Sequence, residues 1–331
     1  MTGSGLIAHT FPGGDLYPMT SETGHQGPPL PTRAGYVSLV GLPNAGKSTL
    51  MNGLIGRKLS IVTAKAQTTW QRVTGIRTTD NAQAIFLDTP GLLLPRDLLQ
   101  RCMLAEALEA LREGDVVVVL LDATVSMAGP EKGAIVEALS GTSAPVFVVL
   151  NKIDEAAPYQ IAALSQWAGS ELGYEVRGIS ALRGDGLEEL WADLVEALPP
   201  GPFLYPRDEI SSASVRYFAA EFIRETVFEQ FREEIPYSVF STIEDFREDQ
   251  EPIYIQANLF VERNSQKGIL VGDKGKAIRE LGRASREKIQ DLVDGPVYLD
   301  LWVKVLSNWR RRRGDLRRLG FQVPAGDDEK T

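Results

Sequence analysis

Residues 36–50 read YVSLVGLPNAGKSTL, and this stretch decides the fold. A short β-branched run over 36–40 meets Gly41-Leu42-Pro43-Asn44-Ala45-Gly46-Lys47-Ser48, and Thr49 continues into a helical stretch over 47–56. Strand, glycine-rich turn and helix in that order make a phosphate cradle. The glycines let backbone N–H groups wrap a phosphate, and the new helix turns its positive end toward it. Lys47 supplies a compact charge to the β and γ oxygens, and Ser48 supplies a hydroxyl ligand for Mg2+.

Outward from this turn, apolar runs recur at 84–87, 116–121 and 146–150, short and β-branched, as buried strands of a mostly parallel sheet are. Helical stretches over 98–112, 131–140, 158–173 and 187–197 separate or follow them. The alternation predicts an α/β doubly wound domain. Residues 70–79, a polar turn at 80–82 and the run 83–88 read as a hairpin, which makes one strand antiparallel.

Three further motifs sit at strand ends and choose the base. Asp88-Thr89-Pro90-Gly91 lets Asp88 hold Mg2+ through water and the Gly91 N–H sense a γ-phosphate. Asn151-Lys152-Ile153-Asp154 places a carboxylate, Asp154, to accept from N1–H and the exocyclic amine of guanine. Adenine has neither donor there and would leave that carboxylate desolvated and unpaired. Asn151 and Lys152 are expected to tie this loop to the phosphate loop, and a backbone amide of Ser180-Ala181 to reach the guanine O6. Thr68 and Thr69, between the first helix and the second strand, are the candidates for closing over Mg2+ in the triphosphate state, Thr69 ahead of Thr68. The expected catalytic set is Lys47, Thr69, Asp88 and Gly91, and the expected metal ligands are Ser48, Thr69 and Asp88. Leu92 follows Gly91 where many GTPases place a water-orienting glutamine, so intrinsic turnover should be slow, on the order of the ~10⁻⁴ s⁻¹ of an unassisted GTPase. Asn44 offers a side-chain carbonyl beside the phosphates, which makes K+ a candidate second cation.

Composition narrows the alternatives. The 331 residues suffice for two or three domains, and no apolar run approaches a membrane span. The first residues do not read as a secretory signal. One cysteine, Cys102, excludes a disulfide framework and fits a reducing cytosol; it reads as a packed helix residue without chemistry. The two histidines, His9 and His25, lie in a Gly/Pro-rich stretch, which argues against histidine-dependent triads and metal sites in the folded body. The net charge is −9, yet residues 265–323 hold fourteen Lys/Arg against seven Asp/Glu. An acidic body with a basic C-terminal segment predicts one polyanion-binding surface.

The expected organisation is a disordered tail over 1–33, a GTPase domain over 34–200, a linker over 201–210 marked by the proline-rich 198–206, an RNA-binding domain over 211–323 and a disordered tail over 324–331. The second domain reads as a helix over 212–231, strands at 237–246 and 253–262, a helical region at 275–293, a strand at 297–306 and a basic helix at 308–320. Within it, Ile269-Leu-Val-Gly272-Asp273-Lys274-Gly275-Lys276-Ala-Ile278-Arg279 is a GxxG turn after an apolar segment and before a helix. Two glycines permit close approach of a nucleic-acid backbone, and the basic side chains with the helix N-terminus attract phosphates. This order predicts an α+β KH module of type II. Ile269, Ile278 and Leu281 are candidates for an apolar base groove, and Arg283, Arg310 and Arg311 for further RNA contact. Trp302 and Trp309 read as packing residues.

Together GLPNAGKSTL, KAQTTWQR, DTPG, NKID, ISAL, EIPYSV, GDKG with KAIRELGRASRE, and VYLDLWVKVLSNW resemble the bacterial Era family over roughly residues 35–323. The resemblance implies a GTP-hydrolysing assembly factor of the small (30S) ribosomal subunit. It implies that the KH domain binds the 3′ end of 16S rRNA when GTP is bound, and that the protein is cytoplasmic with peripheral association to the inner face of the cell membrane. Trp70, in place of a common arginine, Ala45, in place of a frequent valine, and the long N-terminal stretch depart from the family pattern. A peripheral membrane-associated regulator and a non-enzymatic KH RNA-binding protein are the alternatives.

Overall fold

The computed structural model describes residues 32–63, 65 and 67–325. His9, His25 and the expected N-terminal tail up to residue 31 lie outside them, as do residues 326–331. The first lobe runs β1 (Arg33–Gly41), α1 (Lys47–Ile55), β2 (Val73–Thr78), β3 (Ala82–Asp88), α2 (Leu98–Glu113), β4 (Val116–Asp122), α3 (Gly129–Leu139), β5 (Val146–Asn151), α4 (Pro158–Trp167), β6 (Val176–Gly178) and α5 (Leu187–Ala197). Its sheet has the order β2-β3-β1-β4-β5-β6, all parallel except β2, which pairs antiparallel with β3. Every residue of β3 and nearly all of β4 are buried, because helices cover both faces: α1 and α5 on one side, α2, α3 and α4 on the other. The loops after β1, β3 and β5 therefore emerge at one carboxyl edge, where such sheets bind ligands.

The second lobe runs α6 (Val215–Gln230), α7 (Ile235–Ser238), β7 (Phe240–Arg247), β8 (Ile253–Val261), α8 (Asn264–Val271), α9 (Lys276–Val293), β9 (Val297–Val305) and α10 (Arg313–Arg318). β8 pairs antiparallel with β7 and parallel with β9. Ile255, Ala257 and Leu259 of β8 face Ala219, Ile223 and Val227 of α6 and Leu281 and Ile289 of α9. This is the predicted doubly wound domain followed by a KH domain of type II.

Several readings are corrected. Thr32 and Arg33 are held, Thr32 Oγ1 donating to Gly201 O at 2.8 Å and Arg33 opening β1, so the expected tail ends earlier. Pro324 at the other end accepts from Arg313 at 2.6 Å. Residues 201–210, read as the linker, are held against the first lobe: Gln83 holds Leu204 N at 2.7 Å and Tyr205 O at 2.9 Å, and Ile76 N donates to Ile210 O. Residues 235–238 form a helical turn, so the strand expected from 237 begins only at Phe240. The apolar segment before the GxxG turn is helix α8, whose start is held by Gln266 Oε1 accepting from Glu262 N and Arg263 N. The basic helix expected over 308–320 breaks into a 3₁₀ turn at Trp309–Arg311, entered through Asn308 at φ 55°, and the short α10, because Arg312 between them is extended at φ −100° and ψ 118°. Trp302 is exposed: Leu301 and Val303 face the core, so strand alternation puts it on the outer face.

The lobes share a core. Trp70, Leu98, Leu99, Cys102 and Met103 pack with Phe240, Phe260, Trp309, Leu316 and Phe321. No helix among the described residues is long and apolar enough to cross a membrane.

Candidate guanine-nucleotide site and RNA-binding turn

The carboxyl edge of the sheet holds a cleft lined by Pro43, Asn44, Gly46, Lys47, Ser48, Thr49, Gln67, Thr68, Thr69, Thr89 and Gly91 among others. The backbone dictates glycine at two of these positions. Gly46 has φ 96°, and a Cβ there would lie 2.1 Å from Asn151 Nδ2. At Gly91 a Cβ would lie 2.4 Å from Pro43 N, so this loop passes directly over the phosphate loop.

Lys47 is buried, and its ammonium donates to Leu42 O at 3.0 Å and Gly41 O at 3.3 Å, bent back across the loop. Burial pulls it down to about 8, against the opposing influence of Asp88. Ser48 Oγ donates to Asp88 Oδ2 at 2.6 Å and lies 3.1 Å from Thr69 Oγ1. The three expected metal ligands thus converge. Asp88 is fully buried, which raises its carboxyl against the lowering effects of Ser48 and Lys47, and its Oδ1 has no hydrogen-bond partner. Hydroxyl and carboxylate oxygens with one orphaned buried acceptor fit a hard divalent cation such as Mg2+. Thr68 contributes its backbone instead, its carbonyl accepting from Arg224 of α6. Thr89 donates to Leu39 O at 2.8 Å, a bond within the fold. Leu92 is buried with Val40 and Val119 while its N–H donates to Gly41 O, so it orients no water. Asn44 stands exposed at the cleft rim with φ 66°.

At the base end, Asn151 donates from Nδ2 to Ala45 O and accepts at Oδ1 from Ala181 N, both at 2.9 Å. One buried amide fastens three loops together. Two expectations change. Lys152 does not reach the phosphate loop; it pairs with Asp122 at 2.5 Å. Of the Ser180-Ala181 amides, one of which was expected to reach the base, that of Ser180 donates to Asp185 O at 3.0 Å and that of Ala181 to Asn151. Asp154 is nearly buried, 7% of its side chain exposed, and pairs with Arg183 Nε at 3.0 Å. Ile153 packs beneath Gly178, with its N–H on Ile179 O, and Ser180 is fully buried.

The GxxG turn lies between α8 and α9. Gly272 has φ 70°, and Lys274 also takes a left-handed conformation at φ 47°. Asp273, Lys274, Lys276 and Arg279 are exposed, Ile269 is 49% exposed, and Ile278 is half-buried. Leu281 is fully buried in the core and lines no groove. Arg283 is exposed and pairs with Glu287 one turn on. Arg310 does not face outward with this group: its guanidinium pairs with Asp97, the N-cap of α2, at 2.5 Å. Arg311 is exposed.

Arg183, Asp122, Arg224 and the Asp97–Arg310 pair were missed from sequence. Arg183 alone carried a signal, three residues beyond Ser180 and adjacent to the guanine-reading loops.

Comparison with known proteins gives concordant results. The model of the family described as 50S ribosome-binding GTPase matches residues 36–152, and that described as KH domain matches 234–310. The GTPase Era of Halothermothrix orenii is 40% identical, covering 88% of this chain and 99% of its own length. That of Carboxydothermus hydrogenoformans is 39% identical, over 87% and 98%. Among solved structures, a variant of Aquifex aeolicus Era bound to GDP.AlF4- superposes with a TM-score of 0.83 at 37% identity, covering 87% of this chain and 99% of that one. A crystal structure of Era in complex with MgGDPNP and nucleotides 1506–1542 of 16S ribosomal RNA also gives 0.83, at 38% identity with the same coverage.

Proposed function

The chain belongs to the Era family of GTPases, and from that premise we propose that it binds and hydrolyses GTP as an assembly factor of the small ribosomal subunit, binding the 3′ end of 16S rRNA. The carrying observation is the convergence of Ser48, Thr69 and Asp88 with the orphaned Asp88 Oδ1. In this reading those three hold Mg2+, which neutralises charge developing on the phosphates. Gly41 to Thr49 wrap the phosphates, Lys47 faces the β and γ oxygens, and the Gly91 N–H senses the γ-phosphate. Asp154 reads guanine, displacing or reorienting Arg183 as the base enters. Gly272 to Arg279 grip the RNA backbone, with Ile269 and Ile278 beneath the bases. Domain boundaries at 201–210 and 211–323, with the first domain opening at Thr32 instead of residue 34, accompany this assignment.

The nucleotide state gates the RNA, because Thr69 and the KH helix α6 bear on one loop. Gating is thermodynamically reciprocal: GTP and RNA each favour the state the other binds. The test is affinity for a 3′-terminal 16S rRNA fragment with a non-hydrolysable GTP analogue and with GDP, both with Mg2+. Tighter binding with the analogue is expected; equal affinities refute gating. The exposed Asn44 carbonyl supports a K+ site that substitutes for an arginine finger, and equal turnover in K+ and Na+ would remove it. We place the protein in the cytoplasm, and the exposed Arg311, Arg312, Arg317 and Arg318 are where peripheral contact with anionic lipid would form, which vesicle flotation measures.

A further inference from the structure

We propose that Arg224, a residue of the KH lobe, is a positioning residue for GTP hydrolysis: it holds the 67–70 segment so that the Thr69 hydroxyl stays at the metal site. The guanidinium donates from Nη2 to the Thr68 carbonyl, one peptide away from Thr69. Its Nε and Nη2 also form a fork onto Glu221, at 2.9 and 2.7 Å. Its centre lies 4.8 Å from the Trp70 ring and 5.7 Å from the Phe228 ring. A planar cation is required to meet two rings while its edge serves a carboxylate and a carbonyl; a lysine ammonium has no such plane. Arg224 is 1% exposed, and its Nη1 is buried with no hydrogen-bond partner. A guanidinium placed for its own best pairing would not leave that donor unmet, so its position answers to the loop.

The surrounding contacts reinforce the same assignment. Lys65 donates to the carbonyls of Phe228 and Phe231 at the end of α6. Lys58 pairs with Glu225 at 2.8 Å, and Val62 N donates to Glu225 Oε1 at 3.4 Å. Trp70 donates to Gln67 O at 2.9 Å and stacks on Phe240, ring centroids 6.0 Å apart and 14° between planes. The loop that carries Thr69 is therefore anchored by α6 and the start of β7 at Lys58, Val62, Lys65, Thr68 and Trp70. Arg224 itself does not line the phosphate cleft, so it acts through Thr68 and not as an arginine finger.

This rests on the proposed role of Thr69 as a ligand of Mg2+, and the experiment separates the two. In the full chain, Thr69→Ala, Arg224→Gln, Arg224→Lys and Glu221→Gln are compared. The readouts are affinity for GDP, affinity for a non-hydrolysable GTP analogue with Mg2+, single-turnover kcat and KM, and hydrogen exchange across 67–70. Arg224→Gln should lower kcat and the analogue-to-GDP affinity ratio about tenfold and speed exchange in 67–70, with GDP affinity held within about twofold. Arg224→Lys, which keeps the charge but not the stack, should recover part of both. Glu221→Gln, which loosens the fork with less risk to the fold, should shift the ratio the same way by about threefold. An unchanged ratio in both Arg224→Gln and Glu221→Gln overturns the proposal. So does a parallel loss of GDP and analogue affinity, since that marks a role in the fold alone. If Thr69→Ala is silent, the metal assignment fails; if Thr69→Ala impairs analogue binding and the Arg224 variants do not, only the positioning role fails.

Discussion

Replacing Asn151 with alanine tests how the site is assembled. Asn151 is 3% exposed, and its amide makes the two 2.9 Å bonds that join the phosphate loop at Ala45 to the loop at Ala181. Alanine strands a buried carbonyl and a buried N–H. Each orphaned group costs about 1–3 kcal/mol, which gives about 2–6 kcal/mol before relaxation. Water entering the space left by the amide should bring the cost to about 2–4 kcal/mol. That free energy divides between folding and binding, because the same bonds hold the loops in both. Denaturant unfolding without nucleotide and GDP titration of the folded protein together capture the sum. If all of it falls on binding, GDP affinity drops by about 30- to 1000-fold. Asn151→Asp should lose at least as much as alanine, since its carboxylate can still accept from Ala181 N but sets a buried anionic oxygen against Ala45 O where the amide donated. A combined loss below about 1 kcal/mol for Asn151→Ala would refute the reasoning, because the two bonds would then not be what joins the loops.

Asp154→Asn should weaken guanine-nucleotide binding by about two orders of magnitude and favour xanthine nucleotides, measured by competition; an unchanged preference would refute base reading by this carboxylate. Gly272→Asp with Gly275→Asp should abolish binding of the 16S rRNA fragment and leave GTP binding intact; retained RNA affinity would remove the GxxG turn from the interface. Cys102 is buried, and burial pushes its thiol up to about 11, so alkylation at pH 8 should be slow in the folded protein and rapid after denaturation. Fast labelling of the native chain would show that the shared core opens readily.

The first lobe was legible because its signals are local. A strand ending in GLPNAGKS can only place its backbone amides around a phosphate, and the buried VVVVLL run of β4 has the composition of an interior parallel strand. What could not be read depends on what covers a surface. The apolar stripe of α6, including Ala219, Phe222 and Ile223, announces one buried face, and Arg224 and Glu225 fall beside it where solvent is the ordinary expectation. They are buried because a loop from the other lobe lies on them. Arg310 reads as one arginine in a solvated run until Asp97, 213 residues earlier, is placed beside it. Lys152 reads as a partner of the phosphate loop, but with φ 64° it turns toward Asp122 instead. α8 escaped notice because eight residues with one well-buried leucine, Leu270, carry too little periodicity to separate from an apolar loop.

The shared core constrains how any gate can work. Trp70 belongs to the nucleotide lobe, yet it is 4% exposed because Phe240 and Trp309 of the KH lobe cover it. An aromatic residue of this size buries roughly 200 Å², worth about 5 kcal/mol at about 25 cal/mol per Å². Swinging the lobes apart would forfeit the part of that burial that Phe240 and Trp309 supply, with that figure as the ceiling, and strand the Arg224 guanidinium beside a loop it no longer touches. A ligand moves such an equilibrium only by its differential affinity for the two states, and 5 kcal/mol is close to the full range needed to pass from 1:99 to 99:1. The resting description is therefore a packed pair of lobes. In the proposed gating, the γ-phosphate acts by reshaping the segment around Thr68 and Thr69 in contact with α6, and RNA by repositioning α6 in contact with that segment. The two ligands then press on one interface from opposite sides, and Trp70 must remain covered in both arrangements or be reburied when the second one forms.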